Sequence, residues 1–291
     1  MPRPASFDVG CINIRVHPDH TTQRYLQFWR ALHALRRPLV RRSGNALMIG
    51  EVQRPNADAR YVVGEFYRFI QINEDDQWFN IDAHKPAEAD ELDAISIPDE
   101  LRPNLQFVPY VLDLKRHRLY VSTRSSDASL GIASVLKLLQ SLVNHQKIHS
   151  QFGQVDLTVA SDVADVDRML SLPVLRSVQL VIERPNASDY DDERVVLDHL
   201  ESIGASKETR QYVKAPNEQT LRPDDDMRAL ARVAASNGAV KVTGFDAARR
   251  PVKASSSSFP WFMRSTYNSN SQTLFQAFVS FVEDISSRRI P

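Results

Sequence analysis

Pro98-Asp99, followed by Asp113-Leu114-Lys115, are the residue types that metal-assisted phosphodiester hydrolysis uses. Paired carboxylates hold Mg²⁺, and a lysine steadies the attacking water or the charged phosphate. Asp113 and Lys115 are two residues apart, so a strand would point both to one side. Glu65 offers a further carboxylate. Against this reading, Asp99 lies in IPDELRP, which has the look of a helical turn.

The pattern is that of PD…(D/E)xK nucleases, but it is short and arises often by accident. Other chemistry is sparser still. The nine glycines form neither GxGxxG nor GxxxxGK, so phosphate cradles of the nucleotide-binding kind are absent, as is a GxSxG elbow. His145 and His149 in HQKIH would share one face of a helix, but they lack a third ligand and the glutamate of HExxH. HPDH (17–20) reads as a turn. DYDDE (189–193) and PDDD (223–226) sit at helix starts, where acidic residues suit the macrodipole. Cys11, the single cysteine, falls in an apolar strand and reads as core. No metal site and no cofactor is expected.

Basic residues cluster at turns. Arg36, Arg37, Arg41 and Arg42 bracket one turn, and Lys115, Arg116 and Arg118 occupy a hairpin tip. Arg249, Arg250 and Lys253 occupy a second tip, and Arg288 with Arg289 follow the last helix. Converging cations of this kind bind phosphate without reading sequence. The whole chain is nonetheless neutral, with 36 basic and 36 acidic residues, so any positive surface must be local.

The elements that must position these residues follow from periodicity. The 291 residues are 42% hydrophobic and 25% charged, which suits one large or two modest globular domains. No apolar run reaches the roughly 20 residues that span a bilayer, and MPRPASFDVG lacks a signal-peptide core. A cytoplasmic protein is expected. FDVGCINIRV (7–16) reads as a strand and TTQRYLQFWRALHAL (21–35) as a helix, ended before Pro38. Strands follow at 46–53, 60–72 and 77–81, then an acidic loop over 84–103 and a hairpin over 106–125. A helix over 129–148, a strand over 155–161 and a short helix over 162–173 come next. The second half alternates strand 177–186, helix 189–205, strand 209–215, helix 223–238, hairpin 239–255 and helix 273–287. This interleaving predicts an α+β fold of two lobes, 1–150 and 151–291, with mixed or antiparallel sheets and packed helices. The stretch KASSSSFPWFMRSTYNSNSQ (253–272) reads as a strand end turning into a buried plug. Leu274, Phe278, Phe281 and Ile285 form an apolar stripe suited to core or subunit contact.

The order from SVQLVIERPN through the hairpin AVKVTGFDAARRPVKAS to the terminal helix resembles the RexA-like phage-exclusion family. The likeness extends over 46–290 as an order of elements. It implies a two-lobed homodimer that binds DNA or a nucleoprotein largely without sequence preference. It also implies a role as an intracellular phage sensor, with a separate effector protein that is membrane-bound in some systems. Arg249 and Arg250 match that family in lying at the tip of the late hairpin. The reading favoured is a non-enzymatic defence protein using the basic tips: Arg249, Arg250, Lys253, Lys115, Arg116, Arg118, Arg41 and Arg42. The alternatives are a Mg²⁺-dependent nuclease built on Asp99, Asp113 and Lys115, and a structural subunit that binds only protein through the 274–285 stripe.

Overall fold

The computed structural model describes residues 5–17, 20–41, 43–53, 60–72, 76–93, 97–98, 100–126, 128–184 and 191–286. Strand β1 (Ala5–Val16) is apolar on both sides, with Phe7, Val9 and Cys11 on one and Ile12, Ile14 and Val16 buried largely on the other. Helix α1 (Thr22–Ala34) starts where the Thr21 hydroxyl accepts the Arg24 N–H, and it buries Tyr25, Phe28, Trp29 and Leu32. Strands β2 (Leu39–Val40), β3 (Asn45–Gln53) and β4 (Tyr61–Ile70) follow. The acidic segment holds a small ribbon, β5 (Phe79–Asn80) with β6 (Lys85–Pro86), and one helical turn, α2 (Ala89–Leu92). Strands β7 (Gln106–Asp113) and β8 (Arg118–Arg124) form the anticipated hairpin.

The helix anticipated over 129–148 is two helices, α3 (Ile132–Val143) and α4 (Gln146–Phe152). His145 caps α4, its ring accepting the Lys147 N–H, so HQKIH straddles a helix boundary. Strand β9 (Val155–Val159) and helix α5 (Val163–Leu170) lead to β10 (Val174–Glu183), α6 (Asp191–Ser202) and β11 (Lys207–Val213). Helix α7 (Asp225–Asn237) is capped by the Asp224 carboxylate, which accepts the Met227 N–H at 2.8 Å. That cap accounts for PDDD without a metal. Helix α7 runs straight into β12 (Gly238–Phe245), where a Cβ on Gly238 would lie 2.1 Å from the Val181 carbonyl oxygen. Only glycine lets the chain turn so close to a neighbouring strand. Strands β13 (Pro251–Ser255) and β14 (Phe262–Tyr267) and helix α8 (Leu274–Ser286) complete the chain.

The described strand pairs are all antiparallel, and the fold is α+β. The larger sheet runs β14-β1-β8-β7-β4-β3-β2, with β9 also on β1. The smaller runs β11-β10-β12-β13. Strand β1 is long enough for β14 to pair with residues 5–10 and β9 with residues 12–16. The sheets therefore do not divide at residue 150, because β9, β14 and α8 all join the first half. Their backbone groups and apolar side chains complete an edge and a face that β1 would otherwise leave open.

Residues 262–267, within the stretch anticipated as a strand end and buried plug, are an edge strand. Trp261 alone of the FPWFM run is buried, whereas Phe262 is 62% and Met263 37% exposed. Phe278, Val282 and Ile285 of α8 pack with Phe7, Val9, Cys11 and Trp261, so the apolar stripe is largely core of this chain. Burial pushes the Cys11 thiol up to about 12.

One polar cluster joins the two sheets. Asn13 and Arg15 share the side of β1 that carries Cys11, but beyond the reach of α8 they meet the second sheet. Arg15 is fully buried and donates to Glu183 at 2.5 Å, Thr158 at 2.8 Å and Asn237 at 3.3 Å. Asn13 donates to Asn237 Oδ1 at 2.8 Å, and Asn237 donates in turn to Glu193 at 2.9 Å. Burial lowers the Arg15 pKa, an effect that Glu183 opposes.

Two outcomes follow from this packing. Arg15→Met leaves Glu183 without its cation and should lower unfolding free energy by about 3–5 kcal/mol in urea titrations; a loss below about 1 kcal/mol would contradict the role assigned to Arg15. Cys11 should react with an aromatic disulfide reagent at pH 8 only as fast as the protein unfolds, and prompt native-state labelling would contradict its burial.

Candidate nucleic-acid interface

The β7–β8 tip is a closed sheet end and not a projecting finger. The Leu114 N–H donates to the Arg60 carbonyl at 3.0 Å, and the Ile14 N–H donates to the His117 carbonyl at 2.9 Å. Leu114, His117 and Arg118 are buried, Arg116 is half-buried, and only Lys115 is exposed. Arg118, anticipated at an exposed tip, instead pairs in β8 with Asn13 and Asp113, inside the sheet.

Asp113 organises this turn. Its buried carboxylate accepts Arg60 Nε at 2.9 Å, a second bond from Arg60 Nη2, and the N–H groups of Lys115 at 3.0 Å and Arg116 at 3.1 Å. Three of those donors converge on Oδ1 and the fourth on Oδ2, so both oxygens a metal would need are already engaged. Lys115 lies in the turn, so the shared strand face that the nuclease reading required does not form. Glu65 pairs with Pro109, four residues before Asp113. That separation is about 13 Å along β7, too far for one ion. Burial, and then Glu51, raise the Glu65 pKa. Asp99 lies outside the described residues. Among those described, no three His, Cys, Asp or Glu side chains are grouped to hold a metal ion.

The remaining candidates scatter. His17 bonds Asp156 at 2.9 Å, and His20 bonds the Tyr25 hydroxyl at 3.3 Å. Pro18 and Asp19 of HPDH, Asp189 and Tyr190 of DYDDE, Arg42, Arg288 and Arg289 fall outside the described residues. Arg41 donates to the Ser134 hydroxyl.

The β12–β13 hairpin is different. Asp246 accepts the N–H groups of Ala248 and Arg250, both at 2.9 Å, and the Arg250 Nε at 2.8 Å. Arg249 takes a left-handed conformation, φ 59°, and is exposed. The Arg250 backbone N–H, together with its guanidinium, holds the Asp246 carboxyl below the usual carboxylate range. The clasp is therefore present above the ordinary aspartate pKa and is lost as pH falls through the lowered one.

Helices pack on one face of this smaller sheet, against Val178, Leu180, Val240 and Val242. Alternation turns Ser177, Gln179, Lys241, Thr243 and Lys253 to the other face. Register aligns them across strands: Ser177 faces Thr243, which faces Lys253, and Gln179 faces Lys241. Lys241 and Lys253 are thus diagonal neighbours, about 7–8 Å apart. The Arg176 guanidinium lies 4.4 Å from the centre of the Phe245 ring. The acids at the two ends of this face, Glu183 and Asp246, are ion-paired with Arg15 and Arg250. Sequence reasoning found the tip but missed Lys241 and Arg176. Lys241 alternates with Val240 and Val242, a signal that was readable in AVKVTGF.

Residues 5–283 match the family described as a domain of unknown function, DUF4747. The chain belongs to this family. The match runs from β1 into α8, so the DUF4747 domain takes in both sheets and the open face of the smaller one. No curated protein matches the chain. Among the described residues no helix is long and apolar enough to cross a membrane.

The Asp113 arrangement makes a prediction for this DUF4747 chain. Asp113→Ala removes a charged pair and two turn acceptors, and should lower stability by about 2–3 kcal/mol. A urea midpoint indistinguishable from wild type would show that the turn does not depend on this carboxylate.

Proposed function

We propose that this DUF4747 protein is a non-enzymatic binder of nucleic-acid backbone. It grips DNA, alone or within a nucleoprotein, through the β12–β13 hairpin and the open face beside it, largely without sequence preference. The observation that supports this reading is a charge imbalance. Arg176, Lys241, Lys253 and Arg249 are exposed on or beside this face, and its acids are already neutralised by arginines. On a chain of zero net charge, that local excess favours a polyanion. Ser177 and Thr243 share a 2.6 Å hydrogen bond that leaves one hydroxyl proton free between them, which with the Gln179 amide adds neutral donors suited to phosphate and sugar oxygens.

The biological setting belongs to the same proposal and rests on the likeness in element order to RexA-like proteins. In that setting the protein is a cytoplasmic, homodimeric sensor in phage defence that signals to a separate effector. The engagement of Asp113 by Arg60 weighs against the nuclease alternative.

Fluorescence anisotropy on unrelated duplexes tests the binding. Affinity should fall with salt along a log–log slope between about −2.7 and −3.6, as three or four phosphate contacts require. The triple variant Arg249→Ala/Arg250→Ala/Lys253→Ala should reduce that slope by about 2 and weaken every duplex alike. Binding that ignores salt and the variant, or no binding at about 50 mM salt, would sink the proposal.

A further inference from the structure

The larger sheet holds a second cationic feature of a different kind. At the β3–β4 end, a cavity of about 90 Å³ is lined by Arg41, Asn45, Arg68, Ser129, Gly131 and Ser134 among others. That space has room for a few waters or one compact oxyanion.

Two guanidinium groups reach this cavity from separate segments, Arg41 from the β2–β3 connection and Arg68 from β4. Neutral acceptors hold both. Arg68 donates through Nη1 to the Ser129 carbonyl at 3.0 Å and to Gln106 Oε1 at 3.3 Å, and through Nη2 to Asn45 Oδ1 at 3.2 Å. Arg41 donates to the hydroxyl of Ser134, a buried residue. Two other partly or wholly buried arginines are paired with carboxylates, Arg15 with Glu183 and Arg60 with Asp113, whereas Arg24 meets the Gln151 carbonyl and the Phe152 ring. Among the described residues, neither Arg41 nor Arg68 has a carboxylate partner.

Two like charges fixed around one small space repel each other, and the lining supplies no counter-charge. The amino end of α3, which has no side-chain cap, adds potential of the same sign. We propose that this cavity binds a phosphate group in its dianionic form, free or at the terminus of a larger ligand. Two planar guanidinium forks match the oxygens of such an anion, and their two charges match its two. An internal phosphodiester carries one charge and continues in both directions, which suits the open face of the smaller sheet better than this cavity. The proposal does not depend on nucleic-acid binding by the β12–β13 hairpin, because the two features are on different sheets.

The test is calorimetric titration of the full chain with inorganic phosphate, using sulfate and chloride as competitors. Saturable phosphate binding is expected, weakened at least tenfold by Arg41→Met, by Arg68→Met and less severely by Arg68→Lys. Arg41 is exposed, so Arg41→Met keeps the fold, which far-UV circular dichroism verifies. An oligonucleotide bearing a 5′-phosphate is then compared with its 5′-hydroxyl form in the Arg249→Ala/Arg250→Ala/Lys253→Ala background. Preference for the phosphorylated end assigns the site to a terminal phosphate, and equal binding assigns it to the free anion. Absence of saturable phosphate binding to the wild-type chain, or unchanged affinity in folded Arg41→Met, would overturn the proposal.

Discussion

The arrangement of the molecule depends on a guanidinium that sees no solvent. Arg15 is held between the two sheets by Glu183, Thr158 and Asn237. Taking a cation out of water is expensive, and close, well-directed partners are what make it tolerable. Those partners come from β9, β10 and the end of α7, so the cluster forms only when all three meet β1. Asn237 accepts from both Asn13 and Arg15 and donates to Glu193, tying α6 into the same network. An apolar contact would tolerate sliding of one sheet over the other. A directional cluster of this kind favours one register.

Strand β1 explains why the chain returns to its beginning. It is buried on both faces and paired along both edges, by β8 on one and by β14 and β9 on the other. An N-terminal strand alone could not satisfy so much backbone and apolar surface. The chain supplies the missing partners from residues far along the sequence. Helix α8 covers the Phe7–Val9–Cys11 side, and α7 with β10 covers the Asn13–Arg15 side. That the family match extends from residue 5 to 283 accords with a domain closed by its own C-terminal segments.

The same economy of charge shapes the surface. Zero net charge conceals a sorting of arginines into those with an acidic partner and those without. Arg15, Arg60, Arg250 and Arg264 are paired with carboxylates and serve structure. The cations with no such partner among the described residues include Lys241, Lys253 and Arg249 on the smaller sheet and Arg41 with Arg68 on the larger one. The first group lies open and extended, the second converges on a small cavity. A long polyanion suits the one shape and a compact anion the other.

Sequence alone determined most of the helices and the longer strands, because periodicity, caps and prolines act within a few residues. TTQRYLQFWRALHAL carried its own threonine cap and apolar face, and AVKVTGFDAARRPVKAS its own turn. The α+β class followed from their order. Sequence did not reveal β14, whose FMRSTY has little apolar alternation and becomes a strand because β1 offers it an edge. Nor did it reveal that the basic run KRHR would divide, with Lys115 outside and Arg118 within. Asp113 looked like a metal ligand until Arg60, fifty-three residues earlier, took its oxygens. Asn13 and Arg15, two polar residues in an apolar strand, were a readable sign of a buried contact, but their partners were not. Local rules set which segments are helix or strand. Which cations are neutralised and which are left free is decided only when distant segments meet, since electrostatics acts through space and not along the chain.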